Sequence, residues 1–222
     1  MKAPQFAYVR ARSIAEVFDL LETHGENAKL LAGGQSLIAA LNMRLSAPKL
    51  LIDISRLAEL SGIQVRDGTL RIGALTTHAE IERSPDIARH LPLLAQAAPH
   101  IAHAAIRNVG TMGGSLALAD PAAEWPACCV ALDAQFVLAG KAGERRVAAR
   151  EFFKGLYATA LRPNEVLTRI EIPLPGANYR SAFVELAQRH GDYAIVGLAA
   201  VAKSARGVLS DLRLVFLGVG AA

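Results

Sequence analysis

Two glycine-rich segments hold the residues best suited to chemistry. In the first, Leu30-Leu31-Ala32-Gly33-Gly34-Gln35-Ser36-Leu37, a strand pattern runs into two glycines and a helix pattern starts just behind them. Glycine lets the backbone turn sharply and brings its N–H groups close to a ligand. A helix N-terminus favours an anion without help from a lysine. Gln35 and Ser36 add side-chain donors, so a pyrophosphate suits this segment, with a plain strand-to-helix connection as the alternative. In the second, Arg107-Asn108-Val109-Gly110-Thr111-Met112-Gly113-Gly114-Ser115, the glycines, Thr111 and Ser115 make another donor-rich loop over 110–114. Asp120-Pro121-Ala122-Ala123-Glu124 follows. Pro121 suits a first helical turn with Asp120 as its cap, which places Glu124 one turn later on the same face. Carboxylates there could hydrogen-bond sugar or ribityl hydroxyls; a cap and a solvated glutamate are the alternatives. Two phosphate-type loops in different halves imply one long ligand, such as a dinucleotide, lying between them.

Other chemistries find little support. There is no G-x-x-x-x-G-K-[ST], which excludes a Walker loop. Gly218-Val219-Gly220 follows a strand pattern but has only two residues behind it, too few for a βαβ unit. Cys128 and Cys129 are adjacent and lack the spacing of a zinc or iron–sulfur site, so buried structural roles are expected. His100 and His103 could share a helix face, but no carboxylate completes a site around them. His24, His78, His90 and His190 read as surface or packing residues, with His78 serving the turn after Thr77. Trp125 reads as a core anchor. No catalytic nucleophile–base pair and no metal site emerges, so the chemistry must belong to a cofactor.

The elements that position these loops follow from periodicity. Ser13-Ile14-Ala15-Glu16 is a capping-box pattern in which Ser13 caps and Glu16 reaches back; Ile14, Val17, Phe18 and Leu21 follow at helical spacing as far as Gly25. Residues 29–32 read as a strand, 37–45 as a helix and 50–54 as a buried strand, a βαβ unit with parallel pairing. Segments 62–65 and 70–73 flank Asp67-Gly68, a hairpin signal. Thr77-His78-Ala79-Glu80 is a second capping box, and 91–105 reads as one buried helix. Strand patterns at 134–139, 145–148 and 166–172 make this half an antiparallel α+β mixture. Pro173-Leu174-Pro175-Gly176 reads as a linker. Beyond it, 183–187, 196–203 and 212–217 read as strands or buried segments. Two subdomains, about 1–58 and 59–173, are expected on either side of a cleft, with a third piece over 177–222.

The chain's 222 residues, 52% hydrophobic and 20% charged, suffice for an apolar core and argue against disorder. A net charge of +4 is scattered, and aromatics at 5% are too few for a base-stacking platform, which disfavours nucleic acid. No apolar stretch follows Lys2 as in a signal peptide, and no window approaches the ~18 apolar residues of a membrane span. A cytoplasmic protein is expected.

The pairing of Ala32-Gly33-Gly34-Gln35-Ser36 with Thr111-Met112-Gly113-Gly114-Ser115 resembles the two flavin motifs of the medium, FAD-binding subunit in the xanthine dehydrogenase and carbon monoxide dehydrogenase (molybdenum hydroxylase) family. Ile106-Arg107-Asn108-Val109-Gly110, Asp120-Pro121-Ala122-Ala123-Glu124 and Phe152-Phe153-Lys154-Gly155 fit it too. So do Glu165-Val166-Leu167-Thr168-Arg169-Ile170-Glu171-Ile172-Pro173 and Gly191-Asp192-Tyr193-Ala194, and the resemblance covers the whole chain in order. It implies an α+β fold: a two-subdomain, vanillyl-oxidase-like (PCMH-type) FAD-binding domain over 1–173, then a small α/β domain. Carried over by position, Leu30, Leu31, Ala32, Gly33, Gly34, Gln35, Ser36 and Leu37 would hold the pyrophosphate of FAD on one side. Thr111, Gly113, Gly114 and Ser115 would hold it on the other. Glu124 would bind a cofactor hydroxyl with Asp120 close by, and Tyr193 would sit near the isoalloxazine. Ile101 and Leu167 would line the adenine or flavin region, with core packing the alternative for both. No His or Cys is marked for covalent attachment, so FAD is expected to bind non-covalently.

The same resemblance implies a division of labour. A large partner subunit with a molybdenum cofactor oxidises the substrate, and an iron–sulfur small subunit with two [2Fe–2S] clusters passes electrons to this chain. NAD or a quinone then accepts them, and the assembly is a dimer of heterotrimers. A stand-alone FAD-dependent oxidoreductase of the same superfamily and a flavin-free assembly subunit are the alternatives. Family members continue well past this point, so the third domain is expected to be partial.

Overall fold

Three larger sheets, a small two-stranded one and the helices between them carry the chain in this computed structural model, which describes residues 2–220; Met1, Ala221 and Ala222, the last two belonging to the expected third piece, lie outside the described residues. The first sheet comes from β1 (Ala7–Arg10), α1 (Ile14–His24), β2 (Ala28–Leu31), α2 (Leu37–Asn42) and β3 (Leu50–Asp53). β3 is central and runs parallel to both neighbours, in the order β1-β3-β2. All four of its residues are buried, as a parallel strand covered on both faces requires. Val17 and Leu21 of α1 pack on Leu50 and Ile52, joined by Leu60, Leu75 and Val166 from further along the chain.

Two local expectations need correction here. Ser13 Oγ accepts the Glu16 N–H (3.2 Å), but the Glu16 carboxylate takes the N–H of Arg12 (2.8 Å) instead of reaching Ser13. The Arg12 guanidinium pairs with the same carboxylate and draws it one residue further back. α2 ends at Asn42 and not at residue 45, because Arg44 adopts a left-handed φ of 59° that turns the chain.

The second sheet begins with the expected hairpin, β4 (Ile63–Arg66) and β5 (Thr69–Gly73). Asp67 and Gly68 between them have positive φ (50° and 71°), as a type I′ turn needs. Then come α3 (His78–Arg83), α4 (Pro85–His90), α5 (Pro92–Ala97), α6 (Ala104–Arg107), α7 (Met112–Leu118) and α8 (Glu124–Ala131). They are followed by β6 (Gln135–Gly140), β7 (Gly143–Ala148), α9 (Ala149–Phe152), β8 (Phe153–Gly155), β9 (Ala158–Thr159) and β10 (Val166–Pro173). The sheet order is β4-β5-β10-β6-β7, antiparallel throughout. Its core gathers Ile72, Leu94, Trp125, Phe136 and Phe152. The single helix expected over 91–105 is in fact divided. Pro92 opens α5, Pro99 lies in a 3₁₀ turn, Ile101 is extended and Ala102 has φ 43°. Proline lacks the N–H that would carry a helix through.

The third sheet, β11 (Tyr179–Ala187), β12 (Ala194–Ala205) and β13 (Val208–Leu217), is antiparallel in chain order, and this piece is all strand among the described residues. One face packs on α5 and α8. Polar contacts pin it there: the Phe183 N–H donates to Gln96 Oε1 (3.1 Å), and Arg213 donates to the Ala131 carbonyl (2.8 Å) and pairs with Asp133. No helix among the described residues is long and apolar enough to cross a membrane.

Candidate functional site

The first glycine segment leaves the carboxyl end of β2 and enters α2, the edge at which open α/β sheets bind ligands. Gly33 is where the two halves of the chain meet. A Cβ placed on it would fall 2.1 Å from the Val109 carbonyl oxygen and 2.9 Å from Gly110 Cα, so only glycine permits the approach. Gly34 has φ 70°, and Gln35 Nε2 closes the turn on the Gly33 carbonyl (3.0 Å). Among the described residues, the successive backbone N–H groups of Gly33, Gly34, Gln35, Ser36 and Leu37 donate to no protein acceptor, and Ser36 caps α2 without a side-chain bond. Unpaired N–H groups converging on one turn make a concave, anion-seeking surface. At the same edge Asp53 ends β3. Burial opposes its charge, but bonds from the Ser55 N–H (2.9 Å), the Tyr8 hydroxyl and Arg10 (3.1 Å) hold its carboxyl well below the usual range.

The second glycine segment is not the loop its composition implies, for α7 already begins at Met112. Thr111 Oγ1 caps it by accepting the Gly114 N–H (3.1 Å). The N–H groups of Met112, Gly113 and Ser115 go to the carbonyls of Thr76 (3.0 Å), Ala74 (2.8 Å) and Thr111 (3.1 Å). Gly113 permits close packing, since a Cβ there would lie 2.5 Å from Ala74 Cβ. Thr111 bridges Thr77, and the His78 N–H donates to the Gly110 carbonyl (3.0 Å), tying the starts of α3 and α7 together. His78 does more than serve that turn. It is buried, and its Nδ1 accepts the Trp125 Nε1 proton (2.9 Å); burial, helped by the Arg107 charge, pushes its imidazole down to about 4.

Asp120 does not cap a helix opening at Pro121. Its Oδ1 accepts the Ala122 N–H (2.9 Å) and its carbonyl the Ala123 N–H (3.0 Å), closing a turn, and α8 begins only at Glu124. Glu124 is 8% exposed. Burial raises its carboxyl to about 7; a hydrogen bond to its own backbone holds it back, while the charges of Glu185 and Asp120 add to the rise. Tyr157, of which the sequence pattern gives no notice, leans over this turn. Its N–H lies 3.3 Å from the Ala119 carbonyl and its hydroxyl 3.4 Å from Asp120 Oδ2.

The remaining expected residues fall in three places. Ile101 and Leu167 are 8% and 5% exposed and pack in the core of the second sheet, Leu167 opposite Leu138. Tyr193 is 77% exposed, immediately before β12. Gly218, from the glycine fragment at the end of β13, donates its N–H to the Pro121 carbonyl (2.9 Å) in the Asp120 turn. His100 and His103 do not share a helix, since His100 closes a 3₁₀ turn and His103 caps α6. A carboxylate does stand beside His100: Glu185 Oε1 is 4.0 Å from its Nδ1. The alternation of Phe183 and Glu185 on one strand face carried that signal. Cys128 and Cys129 are fully buried in α8, free of disulfides, and burial pushes both thiols up.

Residues 4–175 match the family described as FAD binding domain in molybdopterin dehydrogenase. The 6-hydroxypseudooxynicotine dehydrogenase complex subunit alpha of Paenarthrobacter nicotinovorans is 43% identical over 221 residues, covering 99% of this chain and 75% of that protein. The carbon monoxide dehydrogenase medium chain of Hydrogenophaga pseudoflava is 40% identical over 219 residues, covering 99% and 76%. Among solved structures, carbon monoxide dehydrogenase from Hydrogenophaga pseudoflava superposes with a TM-score of 0.96 at 41% identity, over 99% of this chain and 76% of that one. Quinoline 2-oxidoreductase from Pseudomonas putida 86 does so with 0.94 at 40% identity, over 100% and 76%. A match over most of the chain, on a shared fold, means that this protein belongs to the family of FAD-binding domains of molybdopterin dehydrogenases, α+β flavin domains of oxidoreductases.

Proposed function

We propose that this chain is the FAD-binding, electron-transfer subunit of a cytoplasmic molybdenum hydroxylase. The observation that carries the reading is the cradle at Gly33, where successive N–H groups have no protein acceptor and any Cβ would strike Val109. Such a donor set fits a diphosphate. When bound, FAD supplies an isoalloxazine that takes up and releases electrons.

The chain's own residues bind and orient it. Leu30, Leu31 and Ala32 bring the strand to the turn, and the N–H groups from Gly33 to Leu37 receive the diphosphate, with the Gln35 and Ser36 side chains beside them. From the other half, Gly114 and Ser115 lie at the start of α7, which the buried Thr111 caps, while Gly113 sets the depth of that helix against Ala74. Glu124 accepts a hydrogen bond from a cofactor hydroxyl, Asp120 holding the turn before it. Tyr193 covers the isoalloxazine side. Ile101 and Leu167 form the apolar floor. Residues 1–173 are the FAD domain, with lobes about 1–58 and 59–173, and 177–222 belong to the C-terminal domain.

Electrons arrive from an iron–sulfur small subunit with two [2Fe–2S] clusters and leave to NAD or a quinone. Substrate is oxidised in a large subunit that holds the molybdenum cofactor, the whole being a dimer of heterotrimers. Relatives named as a medium chain and as a complex subunit support a role that depends on partners. The test is co-purification from the native cell, with dye reduction measured for the complex and for this chain alone. Activity confined to the complex supports the proposal, whereas substrate oxidation by the isolated chain contradicts it.

A further inference from the structure

A cavity of about 400 Å³ lies where the third sheet meets the helices, and none of its lining residues belongs to the glycine cradle. Three stretches far apart in the chain wall it: 89–93 at the junction of α4 and α5, 175–177 after β10, and 179–181 at the start of β11. Leu132 and Val201 close it on the core side. A space of that size holds one small organic molecule.

The lining divides by polarity. Leu93, Leu132 and Val201 are buried parts of the apolar core. Arg89 and Arg180 also line the cavity and are exposed, which sets positive charge at its mouth. Among the described residues no aspartate or glutamate lines it, and the Arg89 side chain has no ion-pair or hydrogen-bond partner. Arg180 donates only to the carbonyls of Ala177 (3.3 Å) and Tyr179 (2.9 Å), which draws its guanidinium back toward the 175–177 wall. The nearby carboxylates are already committed. Asp211 takes the Tyr179 hydroxyl proton (2.8 Å) and pairs with Lys203 (3.0 Å), while Asp133 pairs with Arg150 and Arg213. Tyr179 therefore offers the cavity its ring, its hydroxyl being tied off.

One wall residue has an unmet polar atom. Ser181 shares the inward face of β11 with the buried Phe183 and stands opposite Val201. Its Oγ is buried and has no protein hydrogen-bond partner. Buried hydroxyls are ordinarily paired, because an unpaired one is destabilising.

We propose that this cavity binds a small organic carboxylate with an aromatic body. The body packs on Leu93, Leu132, Val201 and the Tyr179 ring, and the carboxylate faces Arg89 and Arg180. A guanidinium fork matches a carboxylate in shape and charge. An inorganic anion would leave the apolar wall unused, and a neutral aromatic would leave both guanidiniums unanswered. The bound molecule joins the 175–177 connection and the third sheet to the α4–α5 junction, whatever occupies the cradle.

Calorimetric titration of the full chain at low ionic strength tests this with three probes: benzoate, benzyl alcohol and inorganic phosphate. Benzoate is expected to bind one per chain with a Kd of about 1 mM, as suits so small a ligand, and the other two at least tenfold more weakly. Arg89→Gln and Arg180→Gln are each expected to weaken benzoate about tenfold, the loss of one charge-assisted contact. Ser181→Leu keeps both arginines but fills the space, and is expected to abolish binding. Hydrogen exchange with benzoate present is expected to gain protection over 89–93 and 175–181. No benzoate binding, equal binding of benzyl alcohol or phosphate, or benzoate affinity unchanged in the arginine variants overturns the proposal. If Ser181→Leu fails to fold, the exchange map takes its place, and protection gained only elsewhere contradicts the site.

Discussion

The Gly33 backbone lies directly against the Val109 carbonyl, so the first glycine turn and the approach to α7 meet in one cradle. The donors come from one side of that cradle, because the N–H groups of 112–115 are engaged inside the protein. What the second segment contributes is position: Gly113 lets α7 sit down on Ala74.

Gly33→Ala is predicted to weaken FAD binding by about 10- to 100-fold, the equivalent of the 1–3 kcal/mol that overpacking costs. A Cβ 2.1 Å from a backbone oxygen has no flexible neighbour to displace. Flavin-fluorescence titration measures the effect. Gly176→Ala, which meets nothing within 4 Å, is the control and retains affinity. Equal affinity in both variants would rule out the cradle.

Glu124 makes stability depend on pH. Its folded carboxyl is raised from 4.5 to about 7, so its stabilising share is complete below 4.5 and is lost as pH rises toward 7. Between about pH 5 and pH 7.5 the wild type is predicted to lose about 2 kcal/mol, or roughly 5 °C in Tm, relative to Glu124→Gln. Parallel thermal scans of the two proteins give the comparison, and identical pH slopes contradict it.

Trp125 is the chain's one tryptophan, and its Nε1 donates to His78. A lowered imidazole contributes stability above 6.5 that is lost as pH falls through about 4. Trp125 fluorescence is therefore predicted to titrate near pH 4. His78→Ala leaves the indole N–H unpaired in the core and costs about 2–3 kcal/mol in denaturant unfolding. A fluorescence midpoint near 6.5 would contradict the buried hydrogen bond.

The two cysteines are predicted to resist a thiol reagent at about pH 8 in the folded protein and to react together once guanidinium unfolds it, since burial disfavours both thiolates. Rapid labelling of the native chain would mean that α8 opens.

Local features were legible where local residues decide them. The β2–α2–β3 unit follows from an apolar run broken by Gly33-Gly34, and the Thr77 capping box forms with both of its bonds. The overrun of α2 to residue 45 has a plain cause: Leu45 has the apolarity of a core residue, yet it is 75% exposed. The fused 91–105 helix arose because apolar residues continue across Pro92 and Pro99. The fate of the 112–115 N–H groups was not legible, since their acceptors include Ala74 and Thr76, brought close only by tertiary packing. Tyr157 reaches Asp120 across 37 positions, which no local pattern encodes.

The most direct measurement is the absorption spectrum of the purified chain, followed by heat release and identification of the bound flavin. Released FAD, one per chain and free of covalent linkage, is the predicted result. A colourless protein that also fails to take up added FAD would contradict the cradle at Gly33 as a flavin site.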